Sequence, residues 1–333
     1  MSSRQSAQTV RPYQLACLIC RAGSGDPADG DDRVAELAAL IRREPDTPLT
    51  LCANVGDVCA YQDPGPSEDT PGSVEFNAKR DIDLLLWLDL LPGCTLPARL
   101  LLKRLLLRVP TVRGICGYGS ARGPVWEGCP RAESGDYERG RERGIEPFIP
   151  PRLREQMEAD KQRSMAAVTS GEVIPIRPHI LLCSVCQYAG GVRPPFAEDN
   201  LPELLDFALE PDCTLQVKLV PGADWTICAP CPNRSRDGCC VNGKFGSGGL
   251  GNVARDLRTL HALGVGFGAV MNIRAMYRLL FERIPTVDGV CTLHIPDVPE
   301  SSIWWDNCCR LEFPSSYEKG REMLMGRFAE GQR

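Results

Sequence analysis

The chain has 333 residues, 43% of them apolar and 24% charged, with 38 Lys and Arg against 43 Asp and Glu for a net charge of −5. That balance is ordinary for a globular chain of about two domains, and without a basic arm or an acidic tail it indicates no nucleic-acid surface. Seventeen Cys stand against three His, a density below the roughly 8–10% of small disulfide-stapled secreted domains and an odd number for a pure disulfide framework.

Residues 1–10 are polar and lack the apolar stretch of about 7–15 residues that a secretory signal needs. A reducing cytoplasm is therefore expected, where thiols act as metal ligands or sit inert in the core. Val34, Leu37, Ala38 and Ile41 have helical spacing after Asp31-Asp32, which predicts a short amphipathic helix. Residues 48–52 follow as a weak strand. A helix is predicted over 80–91 and another over 96–108, the second stopped by Pro110. The apolar stretch 84–107 is broken by Asp89, Pro92, Pro97, Arg99, Lys103 and Arg104, so no membrane span is expected. Residues 144–175 begin with the Pro-rich Glu146-Pro147-Phe148-Ile149-Pro150-Pro151 and continue as polar chain, which reads as a linker with one helical stretch.

Beyond it the pattern returns. Leu201, Leu204, Leu205 and Ala208 have helical spacing behind Asn200, whose partner Glu203 would complete a capping box. Leu215, Val217 and Leu219 alternate as a strand does. Helices are predicted over 255–263 and 270–283, the latter stopped by Pro285. The residues themselves also recur. Arg11-Pro12 with Cys17 and Cys20 matches Arg177-Pro178 with Cys183 and Cys186. Asn77, Arg80, Asp81 and the run from Arg108 to Cys116 match Asn252, Arg255, Asp256 and the run from Arg283 to Cys291. Cys129 and Tyr137-Glu138-Arg139-Gly140-Arg141-Glu142 match Cys309 and Tyr317-Glu318-Lys319-Gly320-Arg321-Glu322. Three collinear blocks imply a duplication. The expected architecture is α+β: two tandem copies, residues 10–143 and 176–327, of a helix-rich domain with a small sheet and Cys-bearing loops.

Cys228-Ala229-Pro230-Cys231-Pro232 and Cys239-Cys240 follow Cys183 and Cys186 in the second copy. Soft thiolates from separate loops suit both iron-sulfur clusters and structural zinc. The 41 residues between Cys186 and Cys228 exceed the roughly 15–20 of a simple zinc ribbon. A Cys-x-x-Cys-Pro in a glycine-rich loop is closer to cluster-binding loops.

At these residues the second copy resembles the prokaryotic family catalogued as domain of unknown function 1284, described as iron-sulfur binding. The likeness runs through Arg177-Pro178-His179-Ile180-Leu181-Leu182-Cys183, Asp224-Trp225-Thr226-Ile227-Cys228, Cys231-Pro232, Cys239-Cys240 and Leu263-Gly264-Val265. Ile180 replaces the family's second His. The resemblance covers about residues 176–268 and implies Cys183, Cys228, Cys231 and one of Cys239 or Cys240, with Cys240 preferred, as metal ligands. In the first copy Cys17 and Cys59 match Cys183 and Cys228, Gln62 falls where Cys231 would be, and nothing matches Cys239-Cys240. Either that site is lost or Cys17, Cys20, Cys52 and Cys59 make a rearranged set. Cys116, Cys129, Cys291 and Cys309 read first as buried thiols and second as ligands of an additional cluster.

Other signals carry less. Gly246-Ser247-Gly248-Gly249-Leu250-Gly251 spells a dinucleotide pattern with no strand before it, and His179 reads as a packing residue. Trp304-Trp305 reads as core, and Arg80-Asp81 and Arg255-Asp256 as ion-paired helix surface. The expected function is binding of one or two [4Fe-4S] clusters for electron transfer with a redox partner protein. The alternatives are an enzyme with a three-Cys cluster and an open iron acting on a small substrate, with His179 or Asp224 as acid-base groups, and a zinc-stabilised interaction module.

Overall fold

The computed structural model describes residues 6–25, 32–53, 74–117, 126–170, 173–194, 196–235, 238–241, 249–292 and 316–329. The chain forms two compact units, Met1–Pro151 and Arg152–Arg333, each helix-rich with a small three-stranded mixed sheet, an α+β architecture.

Unit 1 runs β1 (Gln8–Val10), α1 (Pro12–Ser24), α2 (Asp32–Arg43), β2 (Pro48–Leu51), α3 (Val74–Leu88), β3 (Thr95–Pro97), α4 (Ala98–Arg108), a 3₁₀ turn at Pro130–Glu133, and α5 (Asp136–Glu142). β1 pairs parallel with β2, and β2 antiparallel with β3. Unit 2 opens with α6 (Arg154–Thr169). It continues through β4 (Ile174–Ile176), α7 (Ile180–Ala189), α8 (Leu201–Ala208), β5 (Gln216–Leu219), α9 (Leu250–Leu263), β6 (Val270–Asn272), α10 (Ile273–Arg283) and α11 (Ser316–Ala329). Its sheet pairs β4 parallel with β5 and β5 antiparallel with β6. Among the described residues no helix is long and apolar enough to cross a membrane.

Local chemistry explains both ends of α1 and the start of α10. α1 starts with Pro12 at its first position, and Gln14 Oε1 accepts the Arg11 N–H at 2.8 Å, so an otherwise orphaned donor is satisfied. The helix ends at Gly25, whose φ of 74° suits a residue without Cβ. The helices predicted over 96–108 and 270–283 begin later than expected. Residues 95–97 and 270–272 are edge strands, and Asn272 caps α10 by accepting the Arg274 and Ala275 N–H groups at 3.0 and 3.4 Å. The capping box predicted at Asn200 does not form. Its amide donates to Ser164 Oγ and to the Thr226 carbonyl, and Glu203 pairs with Lys161. α6 supplies both Ser164 and Lys161, so tertiary partners outbid the local cap.

The stretch read as a linker is divided at Pro151. Phe148 and Ile149 are buried in the core of unit 1, and Val168 of α6 is buried in the core of unit 2. The predicted apolar faces of α2 and α8 are buried as their spacing implies.

The recurring Tyr-Glu-x-Gly-Arg segments finish neighbouring helices. Tyr137 Oη donates to the Val109 carbonyl at 3.0 Å and Arg141 Nε to the Leu106 carbonyl at 2.9 Å, at the end of α4. Tyr317 Oη donates to the Ile284 carbonyl at 2.7 Å and Arg321 Nε to the Phe281 carbonyl at 2.9 Å, at the end of α10. Helix-end carbonyls have no partner of their own within the helix. Tyr317→Phe strands the Ile284 carbonyl in a buried setting and should cost about 1–3 kcal/mol, read as a lower urea midpoint for unit 2.

Candidate metal centre

Two buried ion pairs anchor the segments that carry the cysteines. In unit 2, Asp256 Oδ2 accepts Arg177 Nε at 3.1 Å and its terminal nitrogen at 2.7 Å. Asp256 Oδ1 accepts the His179 backbone N–H at 3.1 Å and contacts His179 Nδ1 at 2.6 Å. In unit 1, Asp81 accepts Arg11 Nε at 2.5 Å and the Tyr13 backbone N–H at 2.9 Å. Asp81 and Asp256 are therefore not surface helix charges. Both are buried, and each pairs with the Arg of the Arg-Pro dipeptide rather than with the Arg beside it in sequence. Burial holds the His179 imidazole below its ordinary value against the pull of Asp256, so at neutral pH the ring is neutral and donates Nδ1–H to the carboxylate. That is a more specific role than packing.

Asp224 builds the cysteine loop of unit 2. One carboxylate oxygen accepts the Arg177 N–H at 3.0 Å, and the other accepts the Ile227 and Cys228 N–H groups at 2.5 and 3.4 Å, winding the chain into a turn that presents Cys228. The Cys231 N–H then donates to the Cys228 carbonyl at 3.1 Å. Arg152 clamps the same loop by donating to the Ala229 and Cys231 carbonyls at 2.8 and 2.7 Å. Cys240 is brought back by a bridge to Arg234. Its sulfur accepts the Asn252 amide at 3.3 Å, and Gly249, at φ 86°, lets the start of α9 pass so close that a Cβ would lie 2.7 Å from the Cys240 carbonyl. Asn252 is a partner of the Cys240 sulfur that the Cys pattern alone does not reveal; its recurrence as Asn77 is the signal that could have found it.

Electrostatics group the thiols. Burial raises the Cys228 thiol, and the nearby Asp224, Cys231 and Cys240 raise it further, while Arg177 works in the opposite sense. Cys231 is likewise raised by burial and by Cys240. Cys228, Cys231 and Cys240 thus lie within one another's field, whereas Cys239 is exposed. Cys183 and Cys186, one turn apart on α7, are half-buried and pack against the apolar core.

Cys17 and Cys20 lie one turn apart on α1 in unit 1. Cys20 is raised by burial and then by Cys17, Cys116 and Cys129. Cys52 is buried at the end of β2, its sulfur 3.8 Å from the Thr50 carbonyl. Cys59, Cys309 and the Trp304-Trp305 pair lie outside the described residues, as do residues 246–248 of the glycine pattern.

Among the described residues no three His, Cys, Asp or Glu side chains are placed to hold a single metal ion. The donor chemistry of Cys228, Cys231 and Cys240 nonetheless fits a thiolate-bound group: three soft sulfurs on clamped backbone, one of them already accepting an N–H. The raised thiols of Cys228 and Cys231 mean that a metal must displace protons to bind there. Comparison with family models, with curated proteins and with solved structures finds no match to this chain.

Proposed function

We propose that this chain is an iron-sulfur protein made of two copies of one domain and serving electron transfer in a reducing compartment, with a [4Fe-4S] site in unit 2 held by Cys183, Cys228, Cys231 and Cys240. The carrying observation is the loop that Asp224 and Arg152 hold around Cys228 and Cys231, with Cys240 near enough to act on both. The likeness of the segments around Cys183 and Cys228 to the family of domain 1284 belongs to the same proposal. When bound, such a cluster supplies one-electron chemistry at a potential set by hydrogen bonds to sulfur and by burial. The chain's own contributions are distinct. Asp224 and Arg152 fix the loop, and the Asn252 amide donates to the Cys240 sulfur and so favours the reduced state.

One observation favours a second reading, an enzyme with a three-thiolate cluster whose open iron acts on a small substrate: Cys183 packs with α7 against the core. Cys183→Ser separates the two, since a four-thiolate site loses its cluster and a three-thiolate site keeps it.

The deciding measurement is iron, acid-labile sulfide and zinc per chain on protein purified without oxygen. Joint replacement of Cys228 and Cys231 by Ser should remove about four iron and four sulfide per chain, the content of one cubane cluster, together with its visible absorption. Unchanged iron and sulfide in that variant overturns the site, and zinc without sulfide in the wild type overturns the iron-sulfur reading in favour of a zinc-stabilised module.

A further inference from the structure

The cysteine loop of unit 2 is bracketed by α6 and the residues just ahead of it. Arg152 donates from one terminal nitrogen to the Ala229 and Cys231 carbonyls at 2.8 and 2.7 Å, and from the other to Asp160 Oδ2 at 2.6 Å. Asp160, on the second turn of α6, also accepts the Arg163 guanidinium through Oδ1. Arg163 in turn lies over the Trp225 ring, its guanidinium carbon 5.5 Å from the centre. Arg152 and Arg163, joined by one carboxylate, therefore engage both ends of residues 225–231.

The two halves of α6 are anchored differently. In the C-terminal half Ser164 and Val168 are fully buried. Ser164 Oγ accepts the Asn200 amide at 2.6 Å, and the same amide donates to the Thr226 carbonyl at 2.5 Å. Lys161 reaches the Asp199 carbonyl at 2.6 Å and Glu203 at 2.5 Å. In the N-terminal half, Arg152, Met157 and Asp160 are half-buried and the other six of residues 152–160 are exposed. So little apolar surface is covered there that charge-assisted hydrogen bonds do most of the holding, and these can break and reform without unpacking a core. With the bonds made, Ala229 is 0% exposed and Cys228 9%.

We propose that the N-terminal half of α6 is a strap over the cysteine loop, with Arg152 as its latch and Ser164 and Val168 at its fixed end. Closed, it shields Cys228 and Cys231. Release of Arg152 from the Ala229 and Cys231 carbonyls opens the loop and admits a thiophilic metal ion to the two sulfurs. Arg152 suits the latch because a planar guanidinium meets three acceptors at once, two carbonyls and a carboxylate. Asp160 is a positioning residue that aims it.

The strap works for any metal the cysteines bind, so it goes beyond the iron-sulfur reading. Iodoacetamide labelling of the full chain as purified, in excess chelator and without oxygen, tests it once the modified cysteines are located by peptide mass spectrometry. A shielded thiol reacts in proportion to the population of its open form. Arg152→Gln should label Cys228 and Cys231 about tenfold faster or more, because it removes charge-assisted bonds to the loop. Asp160→Asn should speed the same two cysteines. Cys239, already exposed, and Cys291, buried in the core, should keep their wild-type rates. Unchanged rates at Cys228 and Cys231 in Arg152→Gln overturn the strap, as does an equal rise at Cys291, which would mean general loosening of unit 2. Should Arg152→Gln fail to fold, Asp160→Asn, with every loop contact of Arg152 still available, decides by the same rates. Iron and sulfide counts on the same preparation judge the proposed function separately: protein holding neither overturns that function and leaves the strap to the labelling rates.

Discussion

Asp256→Ala is expected to destabilise unit 2 by about 3–5 kcal/mol, because removing one partner of a buried ion pair leaves the other charge stranded. The stranded group is Arg177, only 2% exposed, and the same substitution removes the acceptor for the His179 backbone and ring N–H groups. Those bonds hold the segment leading into α7, so the loss should spread to the placement of Cys183. Urea unfolding followed by circular dichroism measures the effect, and a change below about 1 kcal/mol would mean that the pair contributes no more than an exposed one.

The same carboxylate gives an acid dependence with a definite sign. Burial alone would raise Asp256, but the hydrogen bonds of His179 and the charge and hydrogen bonds of Arg177 outweigh it and hold the group below the ordinary carboxylate range. A folded value below the unfolded one, about 3.9, means that the stabilisation is complete above that pH and is lost as the pH falls through the folded value. Asp256→Asn should therefore flatten the acid limb of the unit 2 stability curve. Asp81 behaves oppositely. Burial pushes it up to about 6 in spite of Arg11, the Tyr13 N–H and Arg80, so its contribution favours folding below about pH 4 and is lost as the pH rises through about 6. Tyr13 stands where unit 2 has His179 and offers Asp81 no ring N–H.

Gly320→Ala is expected to cost about 3 kcal/mol or more, at the upper end of overpacking penalties. A Cβ at Gly320 would collide with the Val185 carbonyl on α7, and one at Gly140 would collide with the Ile19 carbonyl on α1. Neither obstacle is the end of a flexible side chain, so relief requires one helix to move away from the other. Since α7 carries Cys183 and Cys186 and α1 carries Cys17 and Cys20, each separation also displaces cysteines. Gly326→Ala on the same helix α11 meets nothing within 4 Å and serves as the control. Equal midpoints for the Gly320 and Gly326 variants would refute the close packing of α7 on α11.

The sequence by itself determined the class of fold and the amphipathic elements, because burial of one helix face imposes a 3.6-residue period that local reading detects: Val34, Leu37, Ala38 and Ile41 are all buried as their spacing requires. It also marked which polar residues matter, since Arg11, Asp81, Tyr137 and Gly140 recur with Arg177, Asp256, Tyr317 and Gly320. What those residues do was decided only by tertiary structure. Arg80 and Asp81 are neighbours in sequence, yet a helix turns successive side chains by about 100°, and Asp81 meets Arg11 while Arg80 meets Tyr13 and Cys116. Asn200 has the local signature of a cap and spends its amide on Ser164 and Thr226 instead. Cysteines far apart in sequence likewise share surroundings through packing: Cys20 and Cys116 are buried in one apolar cluster, with Cys17 and Cys129 against it, because nearness in a folded core follows from which faces pack rather than from the number of residues between them.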